Sequence, residues 1–371
     1  MSPLKVAHLT SAHMPTDTRI FHKECKTLVE AGYEVVLIVQ GDRPTVVDGV
    51  RLRPVPKPAG RRERFLLTTW HVYVAALDER ADIYHFHDPE LLPVGFLLKA
   101  AGKRVVYDVH EDVPRQIQTK AWIPAILRRL AGLAMEVAEG AGAASFDGLV
   151  TATPAIARRF PNAKTITANN FPFKCELAPP EAGSYLDRGP LILYSGSLSD
   201  IRGAHEMLDA MALVPASLGA RLAMAGLFSP PELEAQARRH PAWAKVEFHG
   251  WVTREGLRDL SARARLGLVL FHPVPNHLES QPNKLFEYMA AGLPVVASDF
   301  PLWHDLVGRS RCGLLVDPLD PMAISQAITW LLTHPEEAMA MGRRGQDAVQ
   351  SHFNWEAEAG KLLTFYDRLG A

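Results

Sequence analysis

Short, mostly apolar runs of three to six residues recur along the chain, with amphipathic stretches of helical length between them. In the first half the runs fall at 5–10, 34–39, 50–55, 83–86, 104–108 and 148–151. Continuous rather than alternating hydrophobicity predicts strands buried on both sides, as in a parallel sheet. Apolar positions at helical spacing predict helices over 18–31, 64–80, 90–100 and 124–138, the first stopped by Gly32. The stretch 169–183 then loses periodicity and fills with turn formers, among them Asn169, Asn170, Pro172, Pro179, Pro180 and Gly183. A second series of runs follows at 191–194, 221–225, 246–248, 266–270, 295–297 and 313–316. The alternation predicts an α/β protein with two doubly wound parallel sheets. The first domain is expected over 1–175, a linker over 176–188, and the second domain over 189–354, before a terminal helix over 355–371.

Composition agrees with two domains and removes several function classes. The chain has 371 residues, 47% of them apolar, enough for two cores of ordinary size. Forty basic residues against 41 acidic give a net charge of −1, which argues against a bulk electrostatic binder of nucleic acid. Cys25, Cys175 and Cys312 are scattered and odd in number, so neither a disulfide framework nor a cysteine metal site is expected. With no signal-peptide pattern ahead of the first strand and no apolar run long enough to span a bilayer, the expected setting is cytoplasmic. No strand leads into Gly-x-Gly-x-x-Gly, which removes the dinucleotide dehydrogenases.

The most informative stretch is Glu279-Ser280-Gln281-Pro282-Asn283-Lys284-Leu285-Phe286-Glu287. Pro282 suits the first turn of a helix, Leu285, Phe286 and Met289 form its apolar stripe, and Gly292 stops it. Glu279 then lies before the helix and Glu287 on its second turn. The free amides and positive dipole end between them form a ready anion site, to which Lys284 adds a formal charge. Two carboxylates flanking such a site suit a ligand carrying both phosphate and hydroxyls. The simpler reading is an exposed Lys284–Glu287 helix pair worth about 0.2–0.5 kcal/mol.

The two acids, this helix and the sequel Tyr288-Met289-Ala290-Ala291-Gly292-Leu293-Pro294-Val295-Val296-Ala297 together resemble the nucleotide-sugar site of retaining GT-B glycosyltransferases, in particular the GT4 family. The resemblance implies two Rossmann-like domains facing a central cleft, with the terminal helix crossing back to the first. It implies transfer of a sugar from a nucleoside-diphosphate sugar to a hydroxyl of a glycan, a glycolipid or a polyprenyl-linked sugar, as in polysaccharide or glycoconjugate assembly. Neither a nucleic-acid partner nor a metal or other cofactor is expected. Donor contacts carried over are Gly196, Ser197, Arg202, Trp251, Val252, Glu279, Ser280, Asn283, Lys284, Leu285 and Glu287, and the catalytic set is His110, Glu279, Arg202 and Lys284. Ser197 stands where the family usually has Arg, and Arg202 where it usually has Lys; Lys284 is the expected substitute for the lost charge. On the acceptor side the resemblance points to Asp17, Arg19, His87 and Glu111, although the loop at Asp17 lacks the glycine pair common in the family. Rival readings are a nucleotide-sugar epimerase on the same fold and an inactive nucleotide-sugar-binding partner protein.

Two motifs stand outside this picture. His85 and His87 share one face of a strand, but one strand supplies too few ligands and no partner group is evident in the sequence, so no metal site is expected. The stretch 120–138 mixes Trp122, Ile126, Leu127, Leu130 and Leu133 with Arg128 and Arg129, and Arg61 and Arg62 add charge in the same domain. Such a helix either packs into the core or lies on the inner face of an anionic membrane.

Overall fold

A computed structural model describes residues 3–60, 63–119, 123–177 and 184–370, with the side chain of Leu66 left out. Arg61, Arg62, Lys120, Trp122 and the linker core 178–183 therefore lie outside the described residues. The chain divides into two compact units: Met1–Asn170 with Trp355–Ala371, and Phe171–Asn354. The break falls at Asn170, ahead of the position 175 read from the turn-rich stretch.

The first unit is built on strands β1 (Lys5–Leu9), β2 (Glu34–Gln40), β3 (Thr45–Val47), β4 (Val50–Val55), β5 (Ile83–Phe86), β6 (Arg104–Val109), β7 (Gly148–Thr151) and β8 (Thr165–Thr167). Their spatial order is β3-β4-β2-β1-β5-β6-β7-β8. Every pairing is parallel except the β3–β4 hairpin, whose turn residues Asp48 and Gly49 both take positive φ, at 48° and 79°. Apolar burial drives the rest: Ile38, Tyr84, Phe86, Val105 and Leu149 are sealed between helices. The helix Trp355–Gly370 belongs to this unit. Phe365 lies so close over Gly148 that a Cβ there would be 2.3 Å from its ring. Trp355 Nε1 donates to Thr27 Oγ1 at 3.0 Å, and Glu358 accepts from Asn169 N at 3.0 Å.

The second unit has strands β9 (Leu191–Ser195), β10 (Arg221–Ala225), β11 (Val246–Gly250), β12 (Leu266–Val269), β13 (Val295–Ser298) and β14 (Gly313–Val316), in the order β11-β10-β9-β12-β13-β14. Counted within the unit this is 3-2-1-4-5-6, all parallel. Residues alternate between two cores, Ile192 and Tyr194 entering one and Leu193 the other. In both units the chain leaves the first strand in opposite directions, creating a switch point where open α/β sheets bind ligands: between β9 and β12 here, and between β1 and β5 in the first unit.

Candidate functional site

In the second unit the switch point is assembled from the turns after β9 and β12 and the helix Asn283–Ala290. Gly196, at φ 109°, ends β9, and a Cβ on Gly226 would lie 1.9 Å from the Gly196 carbonyl oxygen, so the two backbones meet only because position 226 has no side chain. Gly203, at φ 74°, turns the chain into the helix Ala204–Leu213, and a Cβ there would lie 2.6 Å from the carbonyl oxygen of Leu270 in the neighbouring turn. His272 N donates to Ile201 O at 2.9 Å and ties the two turns together. Tyr288 seats the helix Asn283–Ala290 on this frame: its ring lies on Gly267, and its hydroxyl accepts from Ser195 N at 2.7 Å.

The N-terminus of that helix carries no side-chain cap. Lys284 reaches back from its first turn, with Nζ over the Tyr194 ring at 3.6 Å and about as close to where a Gly196 Cβ would be, 3.3 Å. The ammonium is buried and has no hydrogen-bond partner among the described residues. Burial, reinforced by repulsion from Arg202, holds its pKa well below the ordinary lysine value. Arg202 itself stacks over Phe271 at 5.6 Å and contributes the second cation. Two cations, uncapped amides and a glycine turn thus converge, and among the described residues no acid is hydrogen-bonded to Lys284, an arrangement that favours a phosphate group.

Glu287 does not pair with Lys284. Arg254 donates to its Oε1 at 2.6 Å and also holds Glu176, so the carboxylate is oriented by a residue that the sequence reading missed. Glu279 lies in the turn before the helix, half-buried, as does Ser280, whose carbonyl accepts from Trp303 Nε1 at 2.8 Å. Asn283 is exposed and Ser197 half-buried. Trp251 stands 72% exposed, too open to be a core aromatic, while Val252 packs on the core beside it. Leu285 needs correction as a donor contact: its side chain is fully buried among apolar residues and its amide already donates to Pro282 O at 3.0 Å.

The switch point of the first unit has the opposite character. Asp88, after β5, accepts from Thr10 Oγ1 at 2.7 Å and Ser11 N at 2.6 Å, and meets His13 Nδ1 at 3.0 Å. Although burial works against its charge, His13 and these donors keep its carboxyl well below the usual range. Asp108, at the end of β6, is fully buried and receives both Nε and a terminal nitrogen of Arg19, at 2.9 and 2.8 Å. Arg19, followed by His110, outweighs burial and keeps Asp108 ionised. Arg19 is therefore no acceptor-side contact: it is 4% exposed and is spent on Asp108, Glu24 and the Ala168 carbonyl. Asp17 caps the helix Thr18–Cys25 through the amides of Arg19 and Ile20. His87 is also buried, and burial lowers its pKa to about 4. Glu111 is exposed and accepts from Gln116.

His110 remains accessible, its side chain 17% exposed, with Nε2 2.8 Å from Asp108 Oδ2. Since ionised Asp108 can only accept, Nε2 carries the hydrogen and Nδ1 is the free nitrogen. His13 stands beside it, ring centroids 5.3 Å apart. Neither Asp108 nor His13 was singled out from the sequence.

On the surface of this unit, the helix Ala125–Ser145 exposes Ile126, Leu127, Leu130, Leu133 and Val137, each more than half accessible. Phe65, Leu67 and Trp70 are exposed to the same degree. Among the described residues no helix is long and apolar enough to cross a membrane.

Comparison with known proteins accounts for this pairing of units. The family profile described as "Glycosyl transferase 4-like domain" matches residues 18–170, and that described as "Glycosyl transferases group 1" matches residues 189–334. Glycogen synthase of Mycobacterium tuberculosis is 28% identical over 180 residues, 47% of this chain and 42% of that protein. The chain thus spans less than half the length of the curated relatives it matches first. Among solved structures, sucrose-phosphate synthase from Thermosynechococcus elongatus superposes with a TM-score of 0.79 at 21% identity, covering 99% of both chains. Anabaena HepE in complex with UDP and glucose gives 0.75 at 15% identity, over 98% of this chain and all of that one. At these identities the structural likeness speaks for the fold. With each unit matched by its own profile, the chain belongs to the GT4-type, group 1 glycosyltransferases of GT-B fold.

Proposed function

We propose that the chain is a retaining glycosyltransferase that moves a hexose from a nucleoside-diphosphate sugar to an acceptor hydroxyl, in polysaccharide or glycoconjugate assembly. The observation that carries this reading is Lys284: a buried ammonium with no hydrogen-bond partner among the described residues, at an uncapped helix start beside a glycine turn. A diphosphate supplies what it lacks. In the reaction the bond from the sugar C1 to the diphosphate oxygen breaks and a bond from C1 to the acceptor oxygen forms. The acceptor proton passes to the departing phosphate on the same face, which retains configuration. Charge growing on the leaving group is stabilised by Lys284, Arg202 and the helix amides. Glu287, held by Arg254, binds the ribose, and Glu279 the sugar hydroxyls. In the first unit, His110, fixed in one tautomer by Asp108, is the accessible group suited to a hydroxyl-bearing ligand.

The acceptor is a glycan, a glycolipid or a polyprenyl-linked sugar. The exposed apolar residues on the Ala125–Ser145 helix, with exposed Arg129 among them, support peripheral attachment to an anionic membrane. Co-sedimentation with anionic vesicles at low salt, weakened by Leu130→Glu, is the expected result, and no binding overturns the attachment. The activity is tested by incubating the protein with a panel of nucleotide sugars and following release of nucleoside diphosphate, then product anomers by NMR. Release that Arg202→Ala and Lys284→Met both abolish supports the reading. Tight donor binding without turnover on any acceptor favours the inactive binding protein instead.

A further inference from the structure

Three histidines and a glutamate meet in the interior of the first unit, apart from the groups just assigned to the reaction. His8 on β1 is the register partner of His85 on β5, and His87 follows on the same face. Their rings form one cluster, with centroids 4.7 Å apart for His8–His85 and His85–His87, and 5.1 Å for His8–His87. Glu24, from the helix Thr18–Cys25, lies over them, and none of the four is more than 2% exposed. One ligand atom from each lies within 4.8 Å of those of the other three. The partners absent from the linear motif His85-Phe86-His87 are thus supplied by a neighbouring strand and a helix.

Hydrogen-bond directions fix what this cluster presents. Ionised Asp108 accepts, so His87, with Nδ1 3.1 Å away, carries its hydrogen there. A neutral His87 then offers a lone pair at Nε2, which accepts from His8 Nδ1 at 2.9 Å. The chain Asp108–His87–His8 ends in a lone pair at His8 Nε2, and that atom has no donor among the described residues. His85 spends Nδ1 on the Tyr366 hydroxyl at 2.7 Å and leaves Nε2 without a partner. Glu24 forms an ion pair with Arg19, 3.0 Å away, whose Nε hydrogen is directed to Asp108, and burial followed by the neighbouring Asp108 pushes its pKa well above the ordinary carboxylate value. These buried groups belong to one cluster of metal-ligating side chains, and apart from Arg19 beside Glu24 no cation answers them among the described residues. Each unanswered group costs about 1–3 kcal/mol.

We propose that His8, His85 and Glu24 hold a divalent transition-metal ion of zinc type, with His87 and Tyr366 as the outer partners that orient His8 and His85. Imidazole nitrogens plus a carboxylate are the donor set such an ion takes, and a second hydrogen bond on the far ring nitrogen is the usual support for a ligating histidine. A single proton answers one lone pair and a water answers two, whereas an ion answers all of them together. The site is buried, so its role is to hold β1, β5 and the Thr18–Cys25 helix together beneath the switch point that carries His110 and Asp88.

The test is metal analysis of the full-length protein after zinc loading and gel filtration, followed by cobalt substitution. One equivalent of zinc, strong visible cobalt bands, and binding weakened at least about tenfold in Glu24→Gln and in His8→Gln support the proposal. Chelation should lower the melting temperature of the wild type and leave Glu24→Gln unmoved. His110→Ala should keep the ion; its loss there, with retention in Glu24→Gln, would move the ion to His87, Asp108 and His110 and overturn the assignment. Should the variants not fold, the wild type decides alone: substoichiometric metal and no cobalt bands overturn it. An infrared carboxylic-acid band in metal-free wild type that zinc does not remove does so too, because the lone pairs are then answered by a proton on Glu24.

Discussion

Lys284 gives the sharpest prediction because two effects of removing it have opposite signs. In the unliganded chain its ammonium is buried, lacks a hydrogen-bond partner, and is offset chiefly by the Tyr194 ring 3.6 Å away. A desolvated cation–π contact is worth about 2 kcal/mol, while an unpaired buried charge costs about 3–5 kcal/mol. Lys284→Met, of similar volume and uncharged, should therefore stabilise the free protein by about 1–3 kcal/mol. For a unit of this size that is a rise of roughly 2–12 °C in melting temperature. The same substitution removes a charge-assisted contact to the diphosphate worth about 1.5–3 kcal/mol, so affinity for nucleoside diphosphate should fall about ten- to a hundredfold. A protonation signature accompanies this. Burial depresses Lys284 in the folded chain, so the unfolded chain binds more protons between the two pKa values and wild-type stability rises with pH through that window. Lys284→Met should lack that rise, and diphosphate binding to the wild type at alkaline pH should take up protons, read by calorimetry in buffers of different ionisation enthalpy. A variant that melts lower than wild type, or binds the diphosphate equally well, refutes the reasoning.

Three other outcomes can be checked separately. Glu287→Ala and Arg254→Ala should both weaken binding of the free nucleoside diphosphate in calorimetry, since Arg254 orients the carboxylate, whereas Glu279→Ala should spare it and reduce only sugar transfer; equal loss in all three removes this division of labour. Gly226→Ala should cost more than about 3 kcal/mol in urea unfolding, because its Cβ would lie 1.9 Å from the Gly196 carbonyl, and any folded fraction should lose diphosphate binding as the turn is displaced. Glu79 is opposed by burial, yet hydrogen bonds from Arg51 and Arg53, with Lys5 behind them, hold its pKa at about 2. Its contribution, about 2–3 kcal/mol, is complete above the ordinary carboxylate range and is lost as pH falls towards 2, so Glu79→Gln should flatten the acid limb of the stability profile.

The strands buried on both faces were legible because continuous hydrophobicity has few other causes in a chain of this charge. The edge was not: Thr45, Val46 and Val47 are all exposed, and only the Asp48-Gly49 pair carried the hairpin signal. The helix expected to end at 138 runs to Ser145, because Gly142 packs against Phe146, where a Cβ would lie 2.6 Å from the ring, and does not act as a stop. At the site, the local motif from Glu279 to Glu287 could be read in one dimension, since helix periodicity fixes which residues share its first turns. What could not be read are pairs made by topology. Arg254 reaches Glu287 across 33 positions, and Arg19 reaches Asp108 across 89, which is why the simpler Lys284–Glu287 pair does not form and Arg19 does not stand on the acceptor side.

The contrast between the two switch points bears on where the nucleotide goes. Both lie at the carboxyl ends of parallel strands in the same 3-2-1-4 order, once the antiparallel edge strand β3 is left out, so topology alone offers two equivalent sites. Charge separates them. Around β9 and β12 the buried charge is a cation with no hydrogen-bond partner among the described residues, and a phosphate entering there completes an interaction the fold leaves open. Around β1 and β5 the buried charges are the carboxylates of Asp88 and Asp108, and the buried cation there, Arg19, already gives its hydrogen bonds to Asp108 and a backbone carbonyl. A diphosphate brought to that point would meet negative charge with no free cation from this set to receive it. The accessible groups there are His13 and His110, each held beside a buried acid, Asp88 and Asp108, a set that suits sugar hydroxyls and not a phosphate chain. The same fold used twice is thereby given two tasks by the sign of its buried charge. Exchanging that sign at one position, as in Lys284→Glu, should abolish nucleotide binding without creating it elsewhere, and residual binding of normal affinity would show that the nucleotide does not use the β9–β12 switch point.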